Sequence, residues 1–207
     1  AVDTSYSSHL ASKQGRTKSV VSLGGNAGIL HASDGATGAE PLGYLPQAGL
    51  ANLKIIAEKD YGTQDNYHRY FVDGPMVETD AFIATRRNAT EAWANLVVGS
   101  MGLGGTGFFA LHVDTADPTL LDDKTVLWEL SAADSSDIGY VMGEIAVGKV
   151  KGGGWKAFVG NGVDSSSGKA ALLVVDLSKG TIDQTLVVDS AGGNGLVGVT
   201  LARDATT

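Results

Sequence analysis

The chain has 207 residues, a formal net charge of -8 and no basic stripe, which argues against a nucleic-acid partner and against lysine-mediated membrane binding. It contains no cysteine, which excludes disulfides, thiolate catalysis and cysteine zinc sites. Hydrophobic residues make up 43% of the chain and charged residues 18%, as in a globular domain, and the apolar runs are too short for membrane insertion.

In chain order, residues 1–19 form a polar lead-in and residues 20–207 carry a β-rich pattern. One helix is predicted at Pro46–Glu58, where apolar residues recur every three to four positions. Elsewhere, short apolar runs bounded by Gly, Asp, Asn and Ser predict strands. These runs are "SVVSLGG", "GILHASD", "PLGYLP", "RYFVDG", "DAFIATR", "ANLVVGS", "GFFALHVD", "TVLWELS", "GEIAVGKV", "WKAFVGN", "AALLVVDL", "DQTLVVDS" and "NGLVGVTLA".

Three segments share one order of features: an apolar strand, a glycine-containing polar loop, a second apolar strand and an Asp turn. They are "VVSLGGNAGILHASDGATG", "LVVGSMGLGGTGFFALHVDTAD" and "KAFVGNGVDSSSGKAALLVVDLSKG". A further strand follows each Asp turn, and a leading strand precedes the second and third copies but not the first. Repeated units of four strands are typical of β-propeller blades. The sequence therefore predicts an all-β partial β-propeller of about three four-stranded antiparallel blades, with short helical insertions.

Three blades cannot close a ring of the usual four to eight. The open blade edges would leave backbone groups unpaired and blade faces exposed. We therefore expect residues 20–207 to be an incomplete propeller that belongs to a larger domain. The alternative is self-association of the chain through these open edges.

The stretch "LVVGSMGLGGTGFFALHV" contains the spacing GxGxxG at Gly102, Gly104 and Gly107. A dinucleotide-binding turn needs a helix after the last glycine, because the helix N-terminus holds the pyrophosphate. The chain instead continues as "FFALHVD", an aromatic and β-prone run. We therefore predict a glycine-rich hairpin between two blade strands. The segment "GNGVDSSSGKAA" also lacks the spacing and the Ser or Thr of a phosphate-binding P-loop.

The other polar and aromatic residues give no assignable site. The four histidines lack the spacing of metal ligands, although His31 and His112 occupy equivalent positions in two repeats. Loop carboxylates are expected to be solvated, and the alternative is a loose calcium site formed by Asp114, Asp117, Asp122 and Asp123. The tryptophans predicted to pack between blades are Trp93, Trp128 and Trp155. No catalytic, cofactor-binding or metal-ligating residue is assigned.

Three parts of the chain together resemble consecutive blades of the PilC/PilY family of type IV pilus biogenesis factors and tip adhesins. The first is "LGGNAGILHASDGATGAEPLGYLP", and the second is "HRYFVDGPMVETDAFI" followed by "WANLVVGSMGLGGTGFFALHV". The third is "VLWELSAADSSDIGYVMGEIAVGKVKGGGWKAFVGNGVDSSSGKAALLVVDLSKG". The resemblance implies a modified β-propeller in the C-terminal part of a much larger secreted protein.

The same resemblance implies a non-enzymatic role in pilus assembly and retraction, surface adhesion and twitching motility. The implied partners are minor pilins at the pilus tip and host or abiotic surfaces, and the implied location is extracellular, at the tip or the bacterial outer surface. The calcium site of the family lies further along the propeller. No metal ligand is therefore transferred to this chain, and no cofactor is expected in this segment.

Two other functions stay open at this point. Pyrroloquinoline-quinone dehydrogenases are propellers with a similar Asp turn, as in "ASDGATGAE", but they need stacking aromatics and a calcium-binding acid near the propeller axis. No convincing set of such residues is present. A self-assembling surface filament is the second alternative, and concentration-dependent assembly would identify it.

Overall fold

A computed structural model describes residues 4–113, 121–189 and 195–202 of the protein. Across these ranges the strands form three antiparallel sheets, one of three strands and two of four. Within each sheet the strands follow one another as a meander, so neighbours in sequence are neighbours in the sheet. Helices occupy only short stretches of the described chain. The predicted all-β architecture of blade-like sheets is confirmed.

The first sheet consists of β1 (Val20–Gly24), β2 (Leu30–Asp34) and β3 (Leu42–Tyr44). After β3 the chain forms a 3-10 turn at Gln47–Gly49 and helix α2 (Leu50–Ile56), which confirms the predicted helical insertion. The first sheet has no leading strand before β1 in the described part of the chain. The predicted absence of a leading strand in the first copy is therefore confirmed, and the sequence that precedes β1 is too polar to provide a strand.

The second sheet consists of β4 (Met76–Ile83), β5 (Ala92–Ser100), β6 (Gly107–His112) and β7 (Val126–Ser131). Every residue of β6 is buried, and so is nearly all of β5. Both strands are largely apolar because another sheet packs on each face of the second sheet.

The third sheet consists of β8 (Ala146–Val150), β9 (Gly154–Gly160), β10 (Ala170–Asp176) and β11 (Ile182–Asp189). Strands β8 and β11 form its two edges. Strand β11 is exposed along almost its entire length, although it includes several apolar residues. One face of this sheet packs on the second sheet, and the other face has no sheet against it among the described residues.

Two hydrophobic cores hold the sheets together. Because successive side chains of a strand point to opposite faces, Leu96 lies in the larger core, against the third sheet, and Val97 lies in the smaller core, against the first. The neighbouring strand repeats this division, with Phe108 in the larger core and Phe109 in the smaller one. The second sheet is therefore the middle layer of a stack of three.

Two predicted strands are not formed. "RYFVDG" is irregular although Phe71 and Val72 are buried, because the Phe71 N–H donates to the Asn26 side chain and the Val72 N–H to the Gly25 carbonyl. The described part of "NGLVGVTLA" makes only an isolated bridge between Leu196 and Gly162. Both runs are apolar because they pack against the glycine hairpins, and not because they extend a sheet.

The polar lead-in of residues 1–19 contains helix α1 (Thr4–Gln14), none of whose residues is buried. The helix lies on the second sheet, beside the exposed edge of β1.

Candidate interaction surfaces

The glycine-rich hairpins bring the backbones of successive sheets into direct contact. Gly102 has φ +56, and Gly102–Gly104 form a 3-10 turn that leads directly into β6. A Cβ atom at Gly104 would collide with the Phe71 carbonyl in the segment that precedes the second sheet. A Cβ atom at Gly162, after β9, would likewise collide with the Tyr140 carbonyl. The predicted hairpin is confirmed, and its glycines permit contact between backbones.

Buried polar side chains in these hairpins tie the same segments together. Asn161 is fully buried and donates to the carbonyls of Asp137 and Lys169, each at 2.8 Å. Its Oδ1 accepts from the N–H groups of Ala171 and Leu196, each at 2.9 Å. One amide side chain therefore joins four stretches of backbone. Sequence reasoning missed this residue, because an Asn in a loop usually indicates only a turn.

Tryptophans lie at the contact between the second and third sheets, as predicted. Trp128 of β7 donates its Nε1–H to the Leu177 carbonyl at 2.8 Å, in the Asp turn of the third sheet. Gly180 of the same turn packs directly beneath the Trp128 ring. Trp93 and Trp155 meet edge to face with ring centroids 5.8 Å apart. These aromatic contacts join the two sheets.

A polar cluster attaches α1 to the second sheet. His9 Nε2 lies 3.1 Å from Asp80 Oδ1, and Lys13 Nζ lies 3.0 Å from both that oxygen and Glu78 Oε1. Asn95 on β5 donates to the same two carboxylates, at 3.1 Å and 2.9 Å. Tyr6, His9 and Lys13 follow one another at spacings of three and four residues and therefore share one face of α1. At the start of this face the Tyr6 ring lies tilted against Trp93, with ring centroids 4.4 Å apart.

The electrostatics of this cluster favour its charged forms. Burial alone would raise the pKa of Asp80, but the hydrogen bonds from His9 and Lys13 outweigh it and lower that pKa. The Asn95 amide, followed by Lys13, lowers the pKa of Glu78. Burial opposes the charge of Lys13, yet the two carboxylates raise its pKa overall. The helix is therefore held by ion pairs that persist at neutral pH.

A cavity of about 550 Å³ lies between α1, β1 and the second sheet. Val20 and Ser22 of β1 form one wall, and Asn95 and Val97 of β5 form the floor. The end of the cavity nearest α1 carries Lys13, and the other lining cations are Arg16 and Lys18. We refer to this space as the β1 cavity.

The stack of sheets ends in two faces that carry exposed apolar side chains. On the first sheet, Val21 and Leu23 are 56% and 66% exposed, and we call this surface the first end face. On the third sheet the exposed side chains include Leu186 and Val188, and we call this surface the last end face. Leu201 lies against Gly148 there and covers part of β8.

The last end face also contains an ion triad. Lys156 Nζ lies 2.7 Å from Asp176 and 2.6 Å from Asp183. These two carboxylates raise the pKa of Lys156. Burial raises the pKa of Asp176, but Lys156 and the Lys179 N–H outweigh that effect and lower it. Lys156 and Asp176 therefore stay charged on the two inner strands of this sheet.

An ordered loop projects between α2 and β4. Asn66 is buried within it and donates to Glu58 at 2.9 Å and Asp60 at 3.2 Å. The Arg69 N–H donates to the Tyr61 hydroxyl at 3.0 Å. The four residues Tyr67–Tyr70, "YHRY", are all exposed, and Phe71 anchors the end of the loop in the core. We call Tyr67–Tyr70 the YHRY loop.

The structure does not assemble the loose calcium site considered above within the described residues. Asp114 and Asp117 lie outside them. Asp122 caps the turn Asp123–Thr125 and binds Arg87 at 2.6 Å. No group of three or more metal-ligating side chains occurs among residues 4–113, 121–189 and 195–202. His31 Nδ1 lies 2.8 Å from the Glu40 carboxylate.

No helix in the described part of the chain is long and apolar enough to cross a membrane.

Comparison with known proteins gives one consistent result. The model of the PilY1 β-propeller domain matches residues 2–206. The type IV pilus biogenesis factor PilY1 of Pseudomonas aeruginosa is 38% identical over 178 residues, which are 85% of this chain and 14% of that protein. A PilY1 homolog of Xylella fastidiosa is 34% identical over 179 residues, 86% of this chain and 11% of that protein.

A solved structure agrees with these sequence matches. The crystal structure of the Pseudomonas aeruginosa PilY1 C-terminal domain superimposes with a TM-score of 0.73 and 32% identity. The match covers 96% of this chain and 36% of that chain. The chain therefore spans only a small part of the length of these relatives.

Proposed function

The chain belongs to the PilY1 β-propeller family, and we propose that it is a set of propeller blades in a type IV pilus biogenesis factor. The observation that supports this proposal most directly is the pair of apolar end faces on a stack whose middle sheet is buried on both sides. In the proposed parent protein each end face packs against a further blade. Exposed patches of this kind usually indicate an interaction site.

The role proposed for this segment is structural and non-enzymatic. Buried polar side chains such as Asn161 and Ser100 are used in contacts that join successive sheets. We assign no cofactor to the segment and place any calcium site elsewhere in the parent protein. The parent would act outside the cell, at the pilus tip or the outer surface, with pilins as partners in assembly and retraction.

We further propose that the parent protein supports surface adhesion and twitching motility, and that the YHRY loop makes the contact with the surface. Its four residues are exposed and are not among the residues that define either end face, and we propose that the loop stays accessible when further blades cover those faces. Tyr and Arg are enriched among the residues that dominate binding at protein interfaces. The Asn66 contacts order the loop before binding, which lowers the entropic cost of association.

The test of the blade assignment uses the parent protein in its own cells. Replacing Val21 and Leu23 by Asp would bury two unpaired charges if another blade covers the first end face, and such burial costs several kcal/mol. We expect loss of the parent protein and of surface pili. The control is Lys151→Asp, at an exposed turn. Normal protein and pili in the Val21→Asp, Leu23→Asp variant would show that this face is not covered.

A second pair of variants tests the loop. Tyr67→Ala with Arg69→Ala removes two exposed side chains and leaves the Arg69 N–H contact to Tyr61 in place. We expect normal pili with reduced attachment to surfaces, scored by counting adherent cells, and the same Lys151→Asp control. Unchanged attachment and twitching would remove the YHRY loop from the adhesive surface without affecting the blade assignment.

A further inference from the structure

We propose that the β1 cavity accepts a β-strand, supplied by another part of the longer polypeptide, which pairs with the exposed edge of β1. The strand would complete the first sheet as a four-stranded blade. This inference rests on the proposed function, because it requires a parent protein longer than the chain. It concerns a specific edge and a specific occupant, which the blade assignment alone does not identify.

The first argument comes from the repeated sheets. In the second sheet β4 pairs with β5, and in the third sheet β8 pairs with β9. Strand β1 is the counterpart of β5 and β9, because each has a glycine at or directly before its last residue, ahead of its hairpin: Gly24, Gly99 or Gly160. In the described part of the chain, the position beside β1 holds no strand. The first sheet therefore lacks the element that its two relatives share.

The second argument comes from the direction of the β1 backbone groups. The Gly25 N–H donates to the Ile29 carbonyl at 3.0 Å, and the Gly35 N–H donates to the Ser19 carbonyl at 2.8 Å. Hydrogen-bonded and non-hydrogen-bonded pairs alternate in an antiparallel ladder. The N–H and C=O groups of Val20, Ser22 and Gly24 therefore point away from β2, toward the unpaired edge.

The third argument is the space beside that edge. Val20 and Ser22, whose backbone groups point outward, line the β1 cavity. Its volume is about 550 Å³. A strand opposite the five residues of β1 would be about 17 Å long. The opposite wall, with Asn95 and Val97, belongs to the sheet on which the completed blade would pack.

The source of the strand follows from the neighbouring chain. The residues directly before β1 form α1 and its connection, and Asp80 holds that helix on the second sheet. They are therefore used elsewhere and cannot also form the leading strand. The chain matches 14% of a PilY1 protein and 36% of the solved C-terminal domain chain. A parent of similar length would have ample sequence to supply a strand.

The lining indicates what kind of strand fits. Outward main-chain groups provide the hydrogen bonds, and alternate side chains of the strand would face the cavity floor. Val97 offers an apolar contact, and Asn95 offers a polar one.

The first test compares amide exchange in residues 20–24 between the purified 207-residue chain and the full parent protein. Exchange at Val20, Ser22 and Gly24 should be roughly 100-fold slower in the parent, because strand pairing protects those groups. Equal exchange in the two proteins would overturn the proposal. Protection in the isolated chain that grows with its concentration would also overturn it, since a second copy would then be the occupant.

The second test uses Ser22→Pro, with Ser22→Ala as the matched control. Proline removes an N–H that points outward and therefore leaves the ladder with β2 intact, whereas alanine keeps that N–H. In the parent, Ser22→Pro should lower the melting temperature well beyond Ser22→Ala, but in the isolated chain the two should be similar. Similar effects in both proteins would overturn the proposal. If the strand proposal fails in this way but Val21→Asp with Leu23→Asp still prevents piliation, the blade assignment stands.

Discussion

Asn161 provides the sharpest test of how the sheets are joined. Asn161→Ala removes two donors and one oxygen that accepts twice, so four main-chain groups lose a partner, one in a buried hydrogen bond and three in partly buried ones. Each buried group left without a hydrogen bond costs about 1–3 kcal/mol. Two of the four are carbonyls, which can accept from other groups as well. We therefore expect the free energy of unfolding to fall by about 3–5 kcal/mol.

The measurement is equilibrium unfolding of the purified chain in urea, monitored by tryptophan fluorescence. Asn26→Ala is the matched control, because the Asn26 side chain accepts one hydrogen bond of the same type, from the Phe71 N–H at 3.2 Å, and its loss should cost about 1 kcal/mol. Asn161→Asp keeps the acceptor but places a carboxylate oxygen against two carbonyls, so it should not rescue stability. A loss for Asn161→Ala no larger than that for Asn26→Ala would refute the reasoning.

Two further predictions concern close contacts and charge. Gly104→Ala should destabilise the chain by several kcal/mol, because the added Cβ meets the Phe71 backbone. The control is Gly38→Ala, at φ +71 in open space, which should cost only about 1 kcal/mol. Equal losses of stability in thermal unfolding would contradict this prediction. Because the folded pKa of Asp80 is lowered, the attachment of α1 should hold above the unfolded pKa of about 3.9 and weaken as the pH falls below it. Amide NMR shifts of residues 4–14 would report this transition, and Asp80→Asn should reduce it to the part that the Glu78–Lys13 pair contributes.

Sequence reasoning succeeded where local signals agree with the final packing. The strands around the hairpin at Gly102 were predictable, because apolar runs end at glycines and Asp turns. "RYFVDG" was misassigned because its burial depends on Asn26, 45 positions earlier. The attachment of α1 was also out of reach, since His9 meets Asp80 across 71 positions of sequence. Composition reveals that such residues are polar or apolar, but not which distant group they will meet.

The middle sheet explains why the end faces matter. Strands β5 and β6 are stable as apolar strands only because a sheet covers each of their faces. The first and third sheets repeat the same strand order but have only one covered face, so each exposes apolar side chains such as Leu23 or Leu186. In a stack of repeats each unit is stabilised mainly by its neighbours. Charged substitutions on the end faces should therefore be tolerated in the isolated chain and become damaging only in the parent, where the next blade is present.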